Sequence, residues 1–147
     1  MFCGCSSAGR ASSRPAGREG IAPDSTVRIE PQELLPDTYS PLRDRYPGQP
    51  VCLSYRELID YTLSLSDNNT CDWLIRFAGG IERVEAHMKA LGIGPLRLTE
   101  TEAEMHADIG NSYRNWSTPL AIGRLLQKLY TEEVLRGVYF DCPDRRC

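Results

Sequence analysis

Lysine is scarce in this chain: of seventeen lysines and arginines in 147 residues, only Lys89 and Lys128 are lysines. A mechanism that needs lysine therefore has two candidates, because arginine stays protonated near neutral pH and cannot serve as a base. Long apolar runs are also missing. No stretch approaches the ~18 residues that read as a membrane span. The opening MFCGCSSAGRASSRPAGREG has none of the apolar core of a secretion signal, so neither a membrane partner nor a signal segment is expected. Positive charge is short as well. A net charge of -3 and a pI near 5.4 supply no basic stripe to neutralise phosphates, which argues against a nucleic-acid partner. Cys-x-x-Cys never occurs. Of six cysteines, Cys3, Cys5, Cys142 and Cys147 lie in the two tails, while Cys52 and Cys71 stand apart inside. Cys3-Gly-Cys5 has no paired second half, so neither a metal site nor a disulfide framework is expected, and no cofactor.

What is present is an ordinary globular composition, 41% hydrophobic and 25% charged, of a length suited to one domain. Residues 1–22 follow neither a period of 2 nor one of 3.6 and read as a disordered or out-of-frame tail; residues 141–147 have the same character. The stretch between, 23–140, is patterned to pack and is predominantly helical. Ser54-Tyr55-Arg56-Glu57 is a capping box opening a helix to about Leu65. A second helix carries Trp73, Leu74 and Phe77 and stops at Gly79-Gly80. Ile81, Val84, Met88 and Leu91 mark a third, ending before Gly92. From Ile93 to Trp116 no period holds, which predicts a long loop of the kind that is usually functional or disordered. Ser117-Thr118-Pro119 caps a fourth helix with Ile122, Leu125, Leu126 and Leu129 as its buried stripe, and Thr131-Glu132-Glu133 starts a short fifth through Leu135. The only strand expected is Thr26-Val27-Arg28-Ile29. Trp73 and Trp116 are expected in the core.

Ser66-Asp67-Asn68 falls at the junction of the first two helices, where such a triplet is ordinarily an N-cap. Its surroundings say more. The segments LLPDTYSPLRDRYP, SLSDNNTCDWLIRFAGGIERV, LGIGPLRLTETEAEMHAD and YRNWSTPLAIGRLL resemble the class A serine β-lactamases, in particular the subgroup of Bacteroides-type bacteria, over residues 24 to 140. Ser-Asp-Asn is one of that family's motifs. The resemblance implies the helical lobe, with its Ω-loop, of the α/β serine β-lactamase and transpeptidase-like fold. It also implies an enzyme that opens the β-lactam ring through an acyl-serine intermediate, conferring antibiotic resistance. Such an enzyme is periplasmic or secreted, takes a β-lactam as its small-molecule partner and acts as a monomer.

Carried over position by position, the resemblance makes Ser66 the serine that relays a proton to the β-lactam nitrogen and Asp67 the carboxylate that braces the triplet. Asn68 becomes the amide that binds the substrate's acylamido arm. Glu102 becomes the Ω-loop base that activates the deacylating water, a step that needs a fixed base within hydrogen-bond reach. Tyr39 corresponds to the aromatic at the cleft rim, with a packing tyrosine as the plain alternative. His106 stands where many relatives have an asparagine holding that water. The chain departs from the common pattern at Asp72, where asparagine is more usual and where a buried carboxylate requires backbone N–H partners. It departs again at Glu100 and Asn115, which replace the arginine–aspartate clasp of the Ω-loop, so a different hydrogen bond must hold that loop.

Two further family elements, Ser-x-x-Lys and Lys-Thr-Gly, do not occur. Ala86 precedes Lys89 by three positions and Leu125 precedes Lys128. The nucleophile's place falls in the aperiodic Cys5-Ser6-Ser7 region, where Ser7-Ala8-Gly9-Arg10 offers arginine rather than lysine. The chain by itself is therefore expected to be inactive. A penicillin-binding D-Ala-D-Ala peptidase relative is the nearest enzymatic alternative, disfavoured by Glu102. A non-catalytic pseudoenzyme fragment is the alternative of another class.

Overall fold

The computed structural model describes residues 21–131, which pack around two small apolar clusters. Strand β1 (Thr26–Ile29) pairs antiparallel with β2 (Val51–Ser54), in register from Thr26 against Ser54 to Ile29 against Val51. Side chains alternate across the pair, so Ile29, Val51 and Leu53 face inward while Cys52 is exposed. The sequence reading found β1 and missed β2, whose four residues run directly into the capping box. The chain between the two strands makes a 3-10 turn (Pro31–Glu33) and a short helix α1 (Pro41–Arg45), with Ser40 as N-cap and proline at its start.

The three predicted helices follow. Helix α2 (Tyr55–Leu65) opens on the capping box: Ser54 Oγ accepts from the Glu57 N–H at 3.2 Å and Glu57 Oε2 accepts from the Ser54 N–H at 2.7 Å. It buries Leu58 and Tyr61 and ends at Ser66. Helix α3 (Asn68–Ala78) is capped by Asp67 and stops at Gly79, whose φ of 101° a side chain would resist. Helix α4 (Ile81–Ala90) comes next. The first cluster gathers Ile29, Leu34, Leu42, Val51, Leu53, Leu58 and Tyr61, with Trp73 and Leu74 packed against it. Complete burial of a side chain such as Leu58 contributes about 1.5–3 kcal/mol. Trp73, expected in the core, is only partly buried: it packs against this cluster and stacks on Phe77 with ring centroids 5.5 Å apart.

Beyond α4 the expectations need correction. The stretch 93–116 is not one irregular loop: β3 (Leu96–Arg97) pairs with β4 (Trp116–Ser117) to close its neck. Inside lie α5 (Glu102–Ala107) and a 3-10 turn (Ile109–Tyr113). Six residues make too little helix to display a 3.6-residue period. Trp116 is 49% exposed rather than in the core, because the two-stranded β3–β4 pair is uncovered at β4, where both residues are exposed. Helix α6 (Pro119–Tyr130) forms as predicted, capped by Thr118. Its inward residues are Ala121 and Leu125, four apart, over Ile93 and Leu96. Ile122, Leu126 and Leu129 are exposed, because α6 rests on a cluster only wide enough for one row of contacts. The predicted fifth helix and most of both aperiodic tails lie outside the described residues. Among the described residues no helix is long and apolar enough to cross a membrane.

Candidate functional site

The turn from α2 to α3 carries the Ser-Asp-Asn triplet, and its backbone is unusual. Ser66 sits in the left-handed region (φ 54°, ψ 40°), which costs a non-glycine residue about 1–2 kcal/mol. The turn reverses the chain and leaves Ser66 exposed at the helix junction. Asp67 is fully buried. Its carboxylate accepts from the Thr70 N–H (3.0 Å), the Leu42 N–H (2.7 Å) and the Ser40 hydroxyl (3.0 Å to either oxygen). One carboxylate thereby caps α3 and fastens the start of α1 to it. Asp67 is the N-cap expected of such a triplet, and its bonds fix the backbone of the turn.

The segment 35–42 runs beside this turn and is bound along its length. Asn69 makes a two-way pair with Leu35, accepting from its N–H at 2.8 Å and donating to its carbonyl at 3.1 Å. Asn68 donates its backbone N–H to the Tyr39 carbonyl (3.1 Å) and its side-chain amide to Thr38 Oγ1 (2.8 Å). Arg43 Nη1 donates to the carbonyls of Leu35, Pro36 and Thr38 at 2.6–2.8 Å. Tyr39 itself projects outward, 61% exposed, at the edge of the triplet turn. Sequence reasoning missed Thr38, Ser40, Arg43 and Asn69. Only Ser40-Pro41 carried a legible signal, that of a cap followed by an N1 proline.

The excursion between β3 and β4 brings Glu102 to the same helix. Asp72, on α3 about one turn beyond Asn68, accepts from the backbone N–H of Glu102 (2.8 Å) and of Ala103 (2.9 Å). These are the partners a buried carboxylate there requires, and they satisfy two donors at the start of α5. Thr101 and Glu104 add a capping box over the same turn. Asn115 holds the neck of the loop. Its Oδ1 accepts from the N–H groups of Thr99 (2.8 Å) and Glu100 (3.0 Å), and its Nδ2 donates to the Glu100 carbonyl (2.8 Å). A more exposed ion pair, Arg114 to Glu100 at 3.3 Å, lies alongside.

Glu102 is half-buried, and burial followed by the nearby Asp72 charge raises its carboxyl above the ordinary range. Glu104, two residues on, is held below it by the Thr101 N–H and hydroxyl. The two carboxyls are thus driven apart, and the raised one faces α3. Cys71, between Asp67 and Asp72, has its thiol pushed up to about 11 by burial and by the carboxylates of Glu102, Asp72 and Asp67. It stays protonated, and a thiol is a poor nucleophile.

The serine turn, bound by its cap, and the loop glutamate are thus joined through one helix, α3. The description "Beta-lactamase enzyme family" matches residues 12–137. The chain belongs to this β-lactamase family. A β-lactamase of Bacteroides uniformis is 44% identical over 117 residues, covering 80% of this chain and 40% of its own length. A solved class A β-lactamase from Bacteroides cellulosilyticus is 45% identical with a TM-score of 0.74, over 78% of this chain and 41% of that one. The TLA-1 extended spectrum β-lactamase matches at 44% identity and a TM-score of 0.74, with the same coverage. Class A membership and the helical-lobe architecture follow. The chain spans about 40% of the length of these β-lactamase relatives. Of the residues matched to β-lactamase roles, Asp67, Asn68, Asp72 and Glu102 are linked through α3. Ser66 and Tyr39 adjoin that group, and His106 lies exposed one turn beyond Glu102 on α5.

Proposed function

We propose that this chain forms the helical-lobe wall of a β-lactam-hydrolysing cleft. In this reading Ser66 passes a proton to the leaving ring nitrogen, Asn68 binds the acylamido arm, Tyr39 borders the mouth, and Glu102 draws a proton from the water that releases the acyl group. His106, one turn from Glu102, helps hold that water. The observation that carries the reading is the Asp72 cradle, which fixes the Glu102 backbone to the helix that begins with the triplet. A base is effective when held in place with its pKa moved toward the working pH, and the raised Glu102 carboxyl meets both conditions. Among the described residues no hydrogen bond lowers that carboxyl, so its lone pairs are available to water. The peptidase alternative gains nothing from a cradled loop base.

Ser-x-x-Lys and Lys-Thr-Gly do not occur in this sequence, so the nucleophile and the facing strand have to be supplied from beyond it. By itself the chain is expected to leave a chromogenic cephalosporin unhydrolysed. Antibiotic resistance, a monomeric state and a periplasmic or secreted location belong to the same proposal. The test is a chimaera in which residues 24–131 replace the matching stretch of the Bacteroides uniformis β-lactamase. Hydrolysis is expected, together with an acyl adduct, visible by intact mass, that accumulates when Glu102→Gln is introduced. Adduct accumulation with Glu104→Gln and not with Glu102→Gln would place the base two residues away and sink the assignment.

A further inference from the structure

A carboxamide brings two N–H donors to whatever it holds, and in the neck of the Glu102 loop they meet unequal acceptors. One N–H of Asn115 Nδ2 goes to the Glu100 carbonyl at 2.8 Å and the other to the thioether of Met105, with Sδ at 3.6 Å. A thioether is a weak acceptor. The same neck holds a donor with no acceptor at all: Thr99 Oγ1 is buried without a partner, on the residue whose N–H Asn115 Oδ1 takes at 2.8 Å. The neck therefore has donors to spare and lacks an acceptor oxygen. That shortage bears on Met105, which lies in α5 three residues after Glu102 and is half-buried, open to a small oxidant. Met88, by contrast, packs against the apolar cluster of Ile93, Leu96 and Ala121.

We propose that Met105 is a redox modification site that latches the Glu102 loop: a peroxide converts its thioether to the sulfoxide, whose oxygen accepts the second Asn115 N–H. The sulfur lone pair attacks one peroxide oxygen, and the O–O bond breaks as the S–O bond forms. The proton of the attacked oxygen passes to the other, which leaves as water; sulfur gives up two electrons and the peroxide takes them. The new oxygen stands one covalent bond from a sulfur already 3.6 Å from Nδ2, so a bent N–H···O bond of about 2.9 Å closes with little movement. A weak bond is thereby exchanged for an ordinary one, whereas the same oxidation in an apolar core disrupts packing. Methionine sulfoxide reductases undo the change. The inference concerns the hold on the loop and stands whether or not Glu102 is the base.

The experiment exposes the whole chain briefly to hydrogen peroxide and then to dithiothreitol, which returns oxidised cysteine pairs to thiols and leaves the sulfoxide in place. Peptide mass mapping locates the added oxygen, and amide hydrogen exchange reads residues 99–104. Met105 is expected to gain one oxygen before Met88 does. Exchange over 99–104 should then slow by about tenfold, the scale of one hydrogen bond, while the amides of α2 stay as they were. Reductase treatment should restore the parent rate. Met105→Gln, which carries an amide oxygen permanently, should be slow without peroxide; Met105→Leu should exchange within several-fold of the parent and ignore peroxide. An oxidised Met105 with exchange over 99–104 unchanged or faster overturns the proposal, as does a Met105 left intact by peroxide that converts free methionine. A slowing that persists in Met105→Leu belongs to another side chain and overturns it equally.

Discussion

Replacing Asn115 by alanine removes three hydrogen bonds at once from the neck of the Glu102 loop and leaves the N–H groups of Thr99 and Glu100 and the Glu100 carbonyl without that partner. A buried group stripped of its partner costs about 1–3 kcal/mol. These groups are only half-buried, so water recovers part of each loss, and about 2 kcal/mol in total is a reasonable scale. That corresponds to roughly 30-fold more frequent opening of the loop, read as faster amide exchange in residues 99–104 while the amides of α2 stay protected. Once the loop opens, Glu102 is no longer desolvated against α3, and its carboxyl pKa should fall toward the ordinary value, as carboxyl NMR titration would show. The Arg114–Glu100 ion pair is the control. Arg114 is 62% exposed, and exposed pairs contribute about 0–1 kcal/mol, so Arg114→Ala should raise exchange by no more than several-fold. If Arg114→Ala loosens the loop as much as Asn115→Ala, charge and not the carboxamide holds the neck, and the reasoning fails.

Asp72→Asn should leave the Glu102 or the Ala103 N–H without an acceptor, lowering stability by about 1–3 kcal/mol in denaturant titration; it should also lower the Glu102 pKa, since one of the two raising influences is gone. Glu102→Gln should stabilise the chain against heat at neutral pH and lose that advantage in acid. A carboxyl whose folded pKa is raised favours folding when protonated and penalises it as pH rises through that pKa; a melting temperature that does not change with the substitution at pH 7 would contradict this. Glu104→Gln should have the opposite sign, losing stability at neutral pH, because a lowered pKa favours the folded state above the unfolded value and is lost on acidification. Ser66→Gly should fold at least as stably as the parent, whereas Ser66→Val should cost about 1–2 kcal/mol, since only glycine adopts a positive φ without strain.

The helices were legible in the sequence where they carried their own punctuation. Ser54 with Glu57 opened α2, Gly79-Gly80 closed α3, and Thr118-Pro119 opened α6. Where an element depends on a distant partner, local pattern said little. Strand β2 exists because Val51 and Leu53 meet Ile29 and Val27 across the pair, and β4 because Trp116 lies opposite Arg97. The exposed face of α6 is invisible to periodicity, which marks an apolar stripe and cannot tell what covers it. At the site, resemblance pointed to Glu102 and Asn68, and the need of a buried Asp72 for N–H donors followed from electrostatics alone. The grip of Thr38 on Asn68 joins residues thirty apart through a hydroxyl with no sequence signature.

The segment 35–42 has one further consequence, for how the surface beside the triplet turn can change over generations. Leu35, Thr38, Ser40 and Leu42 are each tied to the start of α3 through backbone or side chain, so a substitution at Thr38 or Ser40 is felt in the turn that carries the triplet. Tyr39 is tied only through its carbonyl, which any residue possesses, and its ring stands clear of the core. The side chain at residue 39 can therefore be enlarged, shortened or recharged while the fold beneath it stays as it was.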